Sequence, residues 1–330
     1  MKALVYTGPK TLVFRDEPDP QANEDVVVKV DVCGICGSDM HAYLGHDERR
    51  PPPQILGHEA AGVATSGTYK GKRVALNPLV TCGTCDACRG GRPHVCRSRQ
   101  IMSMMPRAGA FAELVRAPEQ NLVPIPDGLA TDIAALTEPL AVGYHAVNLG
   151  ERALHMPLAA ARIAVIGGGA IGLCVAQVLE SRGARNILIA ETSAIRRARL
   201  ESKGRFGAYD PSGSAAPAAA SMDLVLDAYG GTASRSEACR LVAPGGVIVH
   251  IGLGSAEGGI DVRKLTLQEV TFIGSYCYTP VEFREPLAGL AAGIFGPIDW
   301  TEARPLSEGG AAFAELAAGK VASAKILLKM

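Results

Sequence analysis

The feature that most constrains this chain is a strand–turn–helix junction near its middle. Ala161-Arg162-Ile163-Ala164-Val165-Ile166 is an apolar run of the kind buried on both faces in a parallel sheet. It leads straight into Gly167-Gly168-Gly169-Ala170-Ile171-Gly172, after which Leu173 to Arg182 reads as a helix. Glycines at this spacing allow a tight turn and the close approach of a pyrophosphate to the helix N-terminus, whose free N–H groups and dipole favour an anion. Asn186 to Ala190 reads as the next strand and ends on Glu191, an acid placed to accept hydrogen bonds from adenosine ribose hydroxyls. Among 38 glycines an isolated G-x-G-x-x-G pattern is weak. The flanking strand, helix and acid give it weight. The expected nucleotide-binding residues are therefore Gly167, Gly169, Ala170, Ile171, Gly172, Glu191 and Arg196. NAD is favoured over NADP because a 2′-phosphate would meet the Glu191 carboxylate, and Arg196 and Arg197 keep NADP open as the alternative.

At 330 residues the chain exceeds what one compact core usually holds. Strands at Met222 to Ala228, Gly246 to Gly252 and Val270 to Ser275 extend the βαβ series, so residues 140–279 are expected to form a doubly wound parallel sheet. The Ala/Ser/Pro stretch from Pro211 to Ser221 reads as a connection without chemistry. Residues 1–139 have another texture, with short strands broken by Gly and Pro, such as Asp25 to Val32, Gly71 to Leu76 and Ala110 to Val115. That suits an irregular β-rich domain. The tail, 280–330, offers a helix (Ala311 to Ala318) and a final strand (Lys325 to Leu328), and is expected to pack back on the first domain.

Nine cysteines are unevenly spread. Cys82-x-x-Cys85-x-x-Cys88 followed by Cys96 lets four thiolates converge on one ion, which predicts a closed structural Zn2+ site. A second, dispersed set is Cys36-Gly37-Ser38-Asp39-Met40-His41, Gly57-His58-Glu59 and Glu138-Pro139. Cys36 and His58 are good zinc ligands, and either Glu59 or Glu138 would complete a mixed site with one open position. Cys33, Cys174 and Cys239 read as buried fillers, and His46, His94, His145, His155 and His250 as structural or solvated.

Basic and acidic residues balance at 33 each, so no basic surplus offers itself to nucleic acid or an anionic membrane. The chain opens on a strand-like Met1 to Tyr6 without a signal-peptide pattern, and has no apolar run of membrane-spanning length. A cytoplasmic protein is expected.

Taken in order, Cys36-Gly37-Ser38-Asp39-x-His41, Gly57-His58-Glu59, the four-cysteine lobe, Gly109-Ala110-Phe111-Ala112-Glu113, Glu138-Pro139-Leu140 and the glycine fingerprint resemble the zinc-containing medium-chain dehydrogenases/reductases. The texture is closest to the sorbitol (polyol) dehydrogenase branch, and the resemblance covers essentially the whole chain. It implies an α/β architecture, with a GroES-like β-rich catalytic domain and an inserted Rossmann domain. It also implies two Zn2+ per subunit, with Cys36 and His58 as catalytic ligands and Glu59 on or behind the metal. Glu138 would touch the metal or hold its water, and Ser38 and His41 would act as a proton relay. The implied reaction is reversible oxidation of an alcohol or polyol with hydride passing to the nicotinamide, zinc acting as Lewis acid. A homotetramer or homodimer is implied as well, paired through the edge strand Val270 to Ile273. One departure concerns the substrate: where polyol dehydrogenases carry an Arg-Tyr pair, this chain reads Ser275-Tyr276-Cys277-Tyr278. The competing readings are a zinc-free quinone or enone reductase of the same superfamily and a non-enzymatic zinc-binding or nucleic-acid-binding module. The two cysteine-containing sets weigh against the first. Neutral charge and the glycine fingerprint weigh against the second.

Overall fold

The computed structural model describes residues 1–330 and divides into two compact units. One joins Met1–Glu138 to Thr279–Met330, and the other is Pro139–Tyr278. Both borders fall one residue before the expected ones. The first lies in the opening turn of the helix Thr137–Ala153.

The unit Pro139–Tyr278 is built on a six-stranded, wholly parallel sheet. Across the sheet its strands run Gly207–Tyr209, Asn186–Ala190, Arg162–Ile166, Met222–Asp227, Val242–His250 and Thr271–Gly274. Chain order thus reverses between Arg162–Ile166 and Met222–Asp227, the place where open α/β sheets bind ligands at their strand C-termini. Ile163, Val165, Leu224, Leu226, Val247 and Val249 are fully buried, which is why these strands read as continuous apolar runs. The strand Val242–His250 begins four residues before its expected start. Met222 pairs with Val242 and Leu224 with Val247, so the intervening residues bulge, with Gly245 at φ +71°. The stretch from Pro211 to Ser221 contains no helix or strand.

In the other unit the principal sheet runs Leu122–Pro124, Arg73–Leu76, Glu59–Ala64, Val26–Gly34, Lys325–Lys329 and Thr301–Pro305, with Leu114–Ala117 paired to Val26–Gly34. The tail therefore supplies two strands to the sheet begun at the N-terminus. A smaller sheet runs Thr11–Asp16, Lys2–Gly8 and Gln54–Ile55. Val28, Leu56, Leu76, Phe111, Phe313 and Leu328 are buried in one cluster, with Phe111 and Phe313 edge to face at 5.9 Å. The expected strand Ala110 to Val115 is displaced to Leu114–Ala117. Gly109, Ala110 and Phe111 instead donate one by one to the carbonyls of Ile55, Gly57 and Leu56, a crossing that brings Gly109 too close to Leu56 for any Cβ.

Strand register in the principal sheet fixes which side chains can meet. Gly34 stands opposite Glu59 on one side and opposite Leu327 on the other. The chain leaving Gly34 toward Cys36 is thereby set between His58-Glu59 and Lys325.

Candidate active site

The four-cysteine lobe hangs from a two-stranded clamp, Leu79–Val80 against Gln100–Ile101. Cys85 caps the short helix Asp86–Arg89, and Cys96 follows a single 3-10 turn, Pro93–Val95. The sulfurs lie 3.6 Å apart for Cys85 and Cys88, 3.5 Å for Cys96 and Cys82, and 3.9 Å for Cys82 and Cys88. Zinc–thiolate bonds of about 2.3 Å put the corners of a tetrahedron about 3.8 Å apart, so the spacing fits Zn2+. The Cys82 thiol is pushed down to about 6 by backbone N–H groups of Thr84 and Cys85. Cys88 is pushed up to about 11 by burial and by the neighbouring Cys85 thiol. Four thiolates so close need a cation among them.

The dispersed set also converges. Donor atoms of Cys36, His58 and Glu59 all lie within 4.8 Å of one another. Cys36 ends the segment after Val26–Gly34 and caps the helix Gly37–Tyr43. Asp39, wholly buried on that helix, accepts from the Cys36 N–H at 3.0 Å and the Gly57 N–H at 3.3 Å, and stands 3.5 Å from His58 Nδ1. Burial opposes the Asp39 charge, but His58 and Arg50 hold its carboxyl below the usual range. Burial likewise opposes an imidazolium at His58, yet Asp39 and Cys36 hold its pKa well above the ordinary value.

Glu59 is fully buried. Its Oε1 accepts from Lys325 Nζ at 2.6 Å, and the same ammonium donates to the Ile35 carbonyl at 2.8 Å. Its Oε2 has no hydrogen-bond partner. A buried carboxylate oxygen without a partner is costly unless it is a ligand, so the set fits a divalent metal held by one thiolate, one imidazole and one carboxylate. A Cβ on Gly34 would come 2.2 Å from that oxygen, so only glycine leaves it room. Glu138, the other carboxylate considered, lies outside the group of mutually near donor atoms. It sits in the first turn of Thr137–Ala153, whereas Glu59 follows His58 directly on the sheet.

Ser38 and His41 stand three residues apart on Gly37–Tyr43. The Ser38 hydroxyl accepts from Arg50 Nη2 at 3.3 Å. Burial, then the charges of His46, Arg50 and Arg49, push the His41 pKa below its ordinary value, Asp47 opposing them.

At the nucleotide fingerprint, Gly169 caps the helix Ala170–Ser181, which starts three residues before its expected start. Gly167 takes φ +105°, and a Cβ on Gly172 would fall 1.8 Å from the Gly167 carbonyl oxygen. Glu191 Oε2 accepts from the Gly168 N–H at 3.1 Å and Oε1 from the Ser193 N–H at 2.7 Å. Arg197 donates to the Glu191 and Thr192 carbonyls and pairs with Asp210 at 3.2 Å. Arg196 is half-buried one position earlier on the helix Ala194–Lys203. Cys33, Cys174 and Cys239 are buried, and Cys277 sits in the left-handed region at φ +48°.

Three residues of the first unit join the site without having stood out as site residues in the sequence. Asp39 is legible there only as part of the Cys36 to His41 motif. Lys325 has a signal, a lone cation opening an apolar strand. Arg50, inside Arg49-Arg50-Pro51-Pro52-Pro53, has none.

Comparison with known proteins agrees with this chemistry. Residues 22–127 match the alcohol dehydrogenase GroES-like domain, and residues 170–292 match the zinc-binding dehydrogenase family. The chain is 32% identical over 298 residues to L-galactonate-5-dehydrogenase of Escherichia coli (strain K12), covering 86% of this chain and 85% of that one. It is 31% identical over 315 residues to sorbitol dehydrogenase of Bacillus subtilis (strain 168), covering 89% and 87%. Among solved structures, the RspB alcohol dehydrogenase of E. coli CFT073 complexed with NADH superposes with a TM-score of 0.89 at 26% identity, over 100% of this chain and 99% of that one. A putative zinc-binding dehydrogenase of Sinorhizobium meliloti 1021 bound to NADP gives 0.84 at 27% identity, over 100% and 99%. The chain belongs to the zinc-dependent medium-chain dehydrogenase/reductase family, in its sorbitol dehydrogenase-like branch, and exchanges hydride between an alcohol or polyol hydroxyl and NAD(P).

Proposed function

We propose that the hydroxyl is oxidised at Cys36, His58 and Glu59, that Ser38 and His41 carry its proton to solvent, and that the substrate is a small polyhydroxylated alcohol or sugar acid. Zinc, when bound, supplies a Lewis acid that makes the hydroxyl a better hydride donor. The rest is done by the chain. Asp39 orients the His58 ring, and Lys325 holds one Glu59 oxygen while leaving the other available. Ser38 takes the proton, and His41, held neutral by burial and nearby cations, is able to receive it. Glu138 contributes charge near the site without belonging to the ligand set. The four cysteines of the lobe hold a second zinc with no position left for substrate.

The substrate class rests on relatives named for a galactonate, sorbitol and D-xylulose. The Ser275 to Tyr278 departure keeps the sorbitol label from carrying over. NAD is favoured over NADP, because Glu191 faces the fingerprint while Arg197 is turned to backbone carbonyls and Asp210. A homotetramer or homodimer is favoured by the sheet-edge strand Thr271–Gly274, which has a neighbour on one side only. Neutral charge favours no nucleic-acid or membrane partner, and no helix is long and apolar enough to cross a membrane. A cytoplasmic location accords with the cluster of free thiols.

The observation that carries the reading is the partnerless Glu59 oxygen beside Cys36 and His58. Its test is metal analysis with a turnover screen over polyols, sugar acids and simple secondary alcohols, with both cofactors. Two zinc ions per chain and NAD-linked turnover of a polyol or sugar acid are expected. Fewer than two ions from zinc-replete cells, or a higher kcat/KM with NADP, would overturn the respective parts.

A further inference from the structure

Arg50 is 2% exposed and spends all five of its N–H donors inside the protein. Nε donates to the Ser103 carbonyl at 3.1 Å. Nη1 donates to the Ser38 carbonyl at 3.2 Å and to Asp47 Oδ2 at 2.6 Å. Nη2 divides between the Ser38 hydroxyl at 3.3 Å and the Ser103 hydroxyl at 3.4 Å. Ser103, itself wholly buried, takes φ +70°, a region few residues other than glycine adopt, and puts its Oγ 3.3 Å from His58 Nδ1. One guanidinium therefore grips both the proposed proton carrier and the residue behind a proposed zinc ligand.

The chemistry of the fork gives this grip a direction. A guanidinium donates and never accepts, so both serine oxygens are acceptors toward Arg50. The Ser38 hydrogen is left uncommitted to Arg50 and can be exchanged with a substrate oxygen. The Ser103 oxygen keeps a lone pair for the His58 Nδ1 hydrogen, which Asp39 also attracts from 3.5 Å. With Nδ1 held as a donor, Nε2 keeps the lone pair that a metal takes.

We propose that Arg50 is a positioning residue for both halves of the site, fixing the Ser38 hydroxyl for proton transfer and, through Ser103, the tautomer and orientation of His58. This rests on Cys36 and His58 being zinc ligands and on Ser38 being the proton carrier. The planar fork does the work, because a lysine ammonium at the same place cannot reach two hydroxyls and two carbonyls together.

The test compares Arg50→Lys, Arg49→Ala and Ser103→Ala in the zinc-loaded enzyme. Arg49 is the control for charge, since it pairs with the same Asp47 but is 59% exposed. Steady-state kinetics and the rate of zinc release to a chromogenic chelator are both read. Arg50→Lys should lower kcat about 10–100-fold, the range for lost outer-shell partners, with KM for the cofactor unchanged, and should speed release of the more labile zinc by about tenfold. Ser103→Ala should reproduce the faster release with a smaller loss in kcat, and it keeps the test open should Arg50→Lys fold poorly. In a Ser38→Ala background, Arg50→Lys should cost no more in kcat than Ser103→Ala does alone, because only the His58 half of the grip is then left to lose. Wild-type kcat and zinc release in Arg50→Lys would overturn the proposal, whatever its thermal stability. So would an undiminished loss in the Ser38→Ala background, or equal losses in Arg49→Ala. Failure of the underlying zinc and proton-carrier assignments looks different: Cys36→Ala would then keep turnover and two zinc ions.

Discussion

The two donor groups of the first unit are built in opposite ways. The four cysteines come from fifteen consecutive residues on a short clamp, with Cys82 exposed and no buried residue in the helix Asp86–Arg89. Cys36, His58 and Glu59 come from a helix N-cap, the residue before a strand and that strand's first residue, braced by a wholly buried Asp39 and by Lys325 from 266 positions away. The first group is closed by its own sulfurs and depends little on the rest of the fold. The second is held open by the fold, which supplies a partner for one Glu59 oxygen and withholds one from the other. A closed group suits structure and an open one suits chemistry.

Removing one thiolate from each group is the strongest way to break that comparison. Cys36→Ala should lower kcat by about 10³-fold or more, matching the several kcal/mol a Lewis acid supplies, with thermal stability little changed. Cys85→Ala should lower Tm by about 5–10 °C and change kcat per folded molecule by less than about threefold. Calorimetry beside initial rates separates the two, and a reversed pattern would exchange the roles of the groups.

Lys325→Met tests the bracing. It leaves the Glu59 carboxylate buried without its ion pair, so unfolding in urea should show a loss of about 3–5 kcal/mol. A loss below about 1 kcal/mol, the range of surface pairs, would mean the ammonium does not hold Glu59.

Acid should separate the groups more gently. Asp39 and Cys36 raise the His58 pKa against the effect of burial, so protons compete with metal for the imidazole through the neutral range. Affinity at the open group should therefore fall as pH falls, by about tenfold per pH unit below the raised pKa. In the lobe the Cys82 thiol is pushed down to about 6 and the Cys88 thiol up to about 11, but four sulfurs share the ion, so a proton on one still leaves three ligands in place. Dialysis at stepwise lower pH with subsequent metal analysis should show one zinc leaving before the other. Simultaneous release would contradict the difference.

Gly34→Ala carries the smallest expected effect. The added methyl would press on Glu59 Oε2 and leave the lobe untouched. Zinc retention at the open group should weaken about tenfold, with lobe zinc unchanged, as a paired chelator titration would read.

How much of this is legible in the sequence differs from residue to residue. The spacing of Cys82, Cys85, Cys88 and Cys96 and the run from Ala161 to Glu191 each carry their meaning within a few dozen residues, and both fold as read. The choice between Glu59 and Glu138 is not written there. Both carboxylates follow the right motifs, and it is the pairing of Gly34 with Glu59 that sets Glu59 beside Cys36 and His58. The early start of Val242–His250 is hidden because Pro244-Gly245-Gly246, at the bulge, interrupt the apolar run.

By itself, then, the sequence determined those features whose partners are close along the chain: the thiolate lobe, the glycine turn with its helix and acid, and the parallel order of apolar strands. Ligand spacing and backbone sterics act over a few residues, so they are written locally. Tertiary structure alone decided which carboxylate faces Cys36, that Lys325 neutralises its far side, and that Arg50 joins Ser38 to Ser103. These depend on strand register and burial, where a shift of one residue turns a side chain to the opposite face, and no local pattern encodes the distance between strands that meet only in the folded sheet.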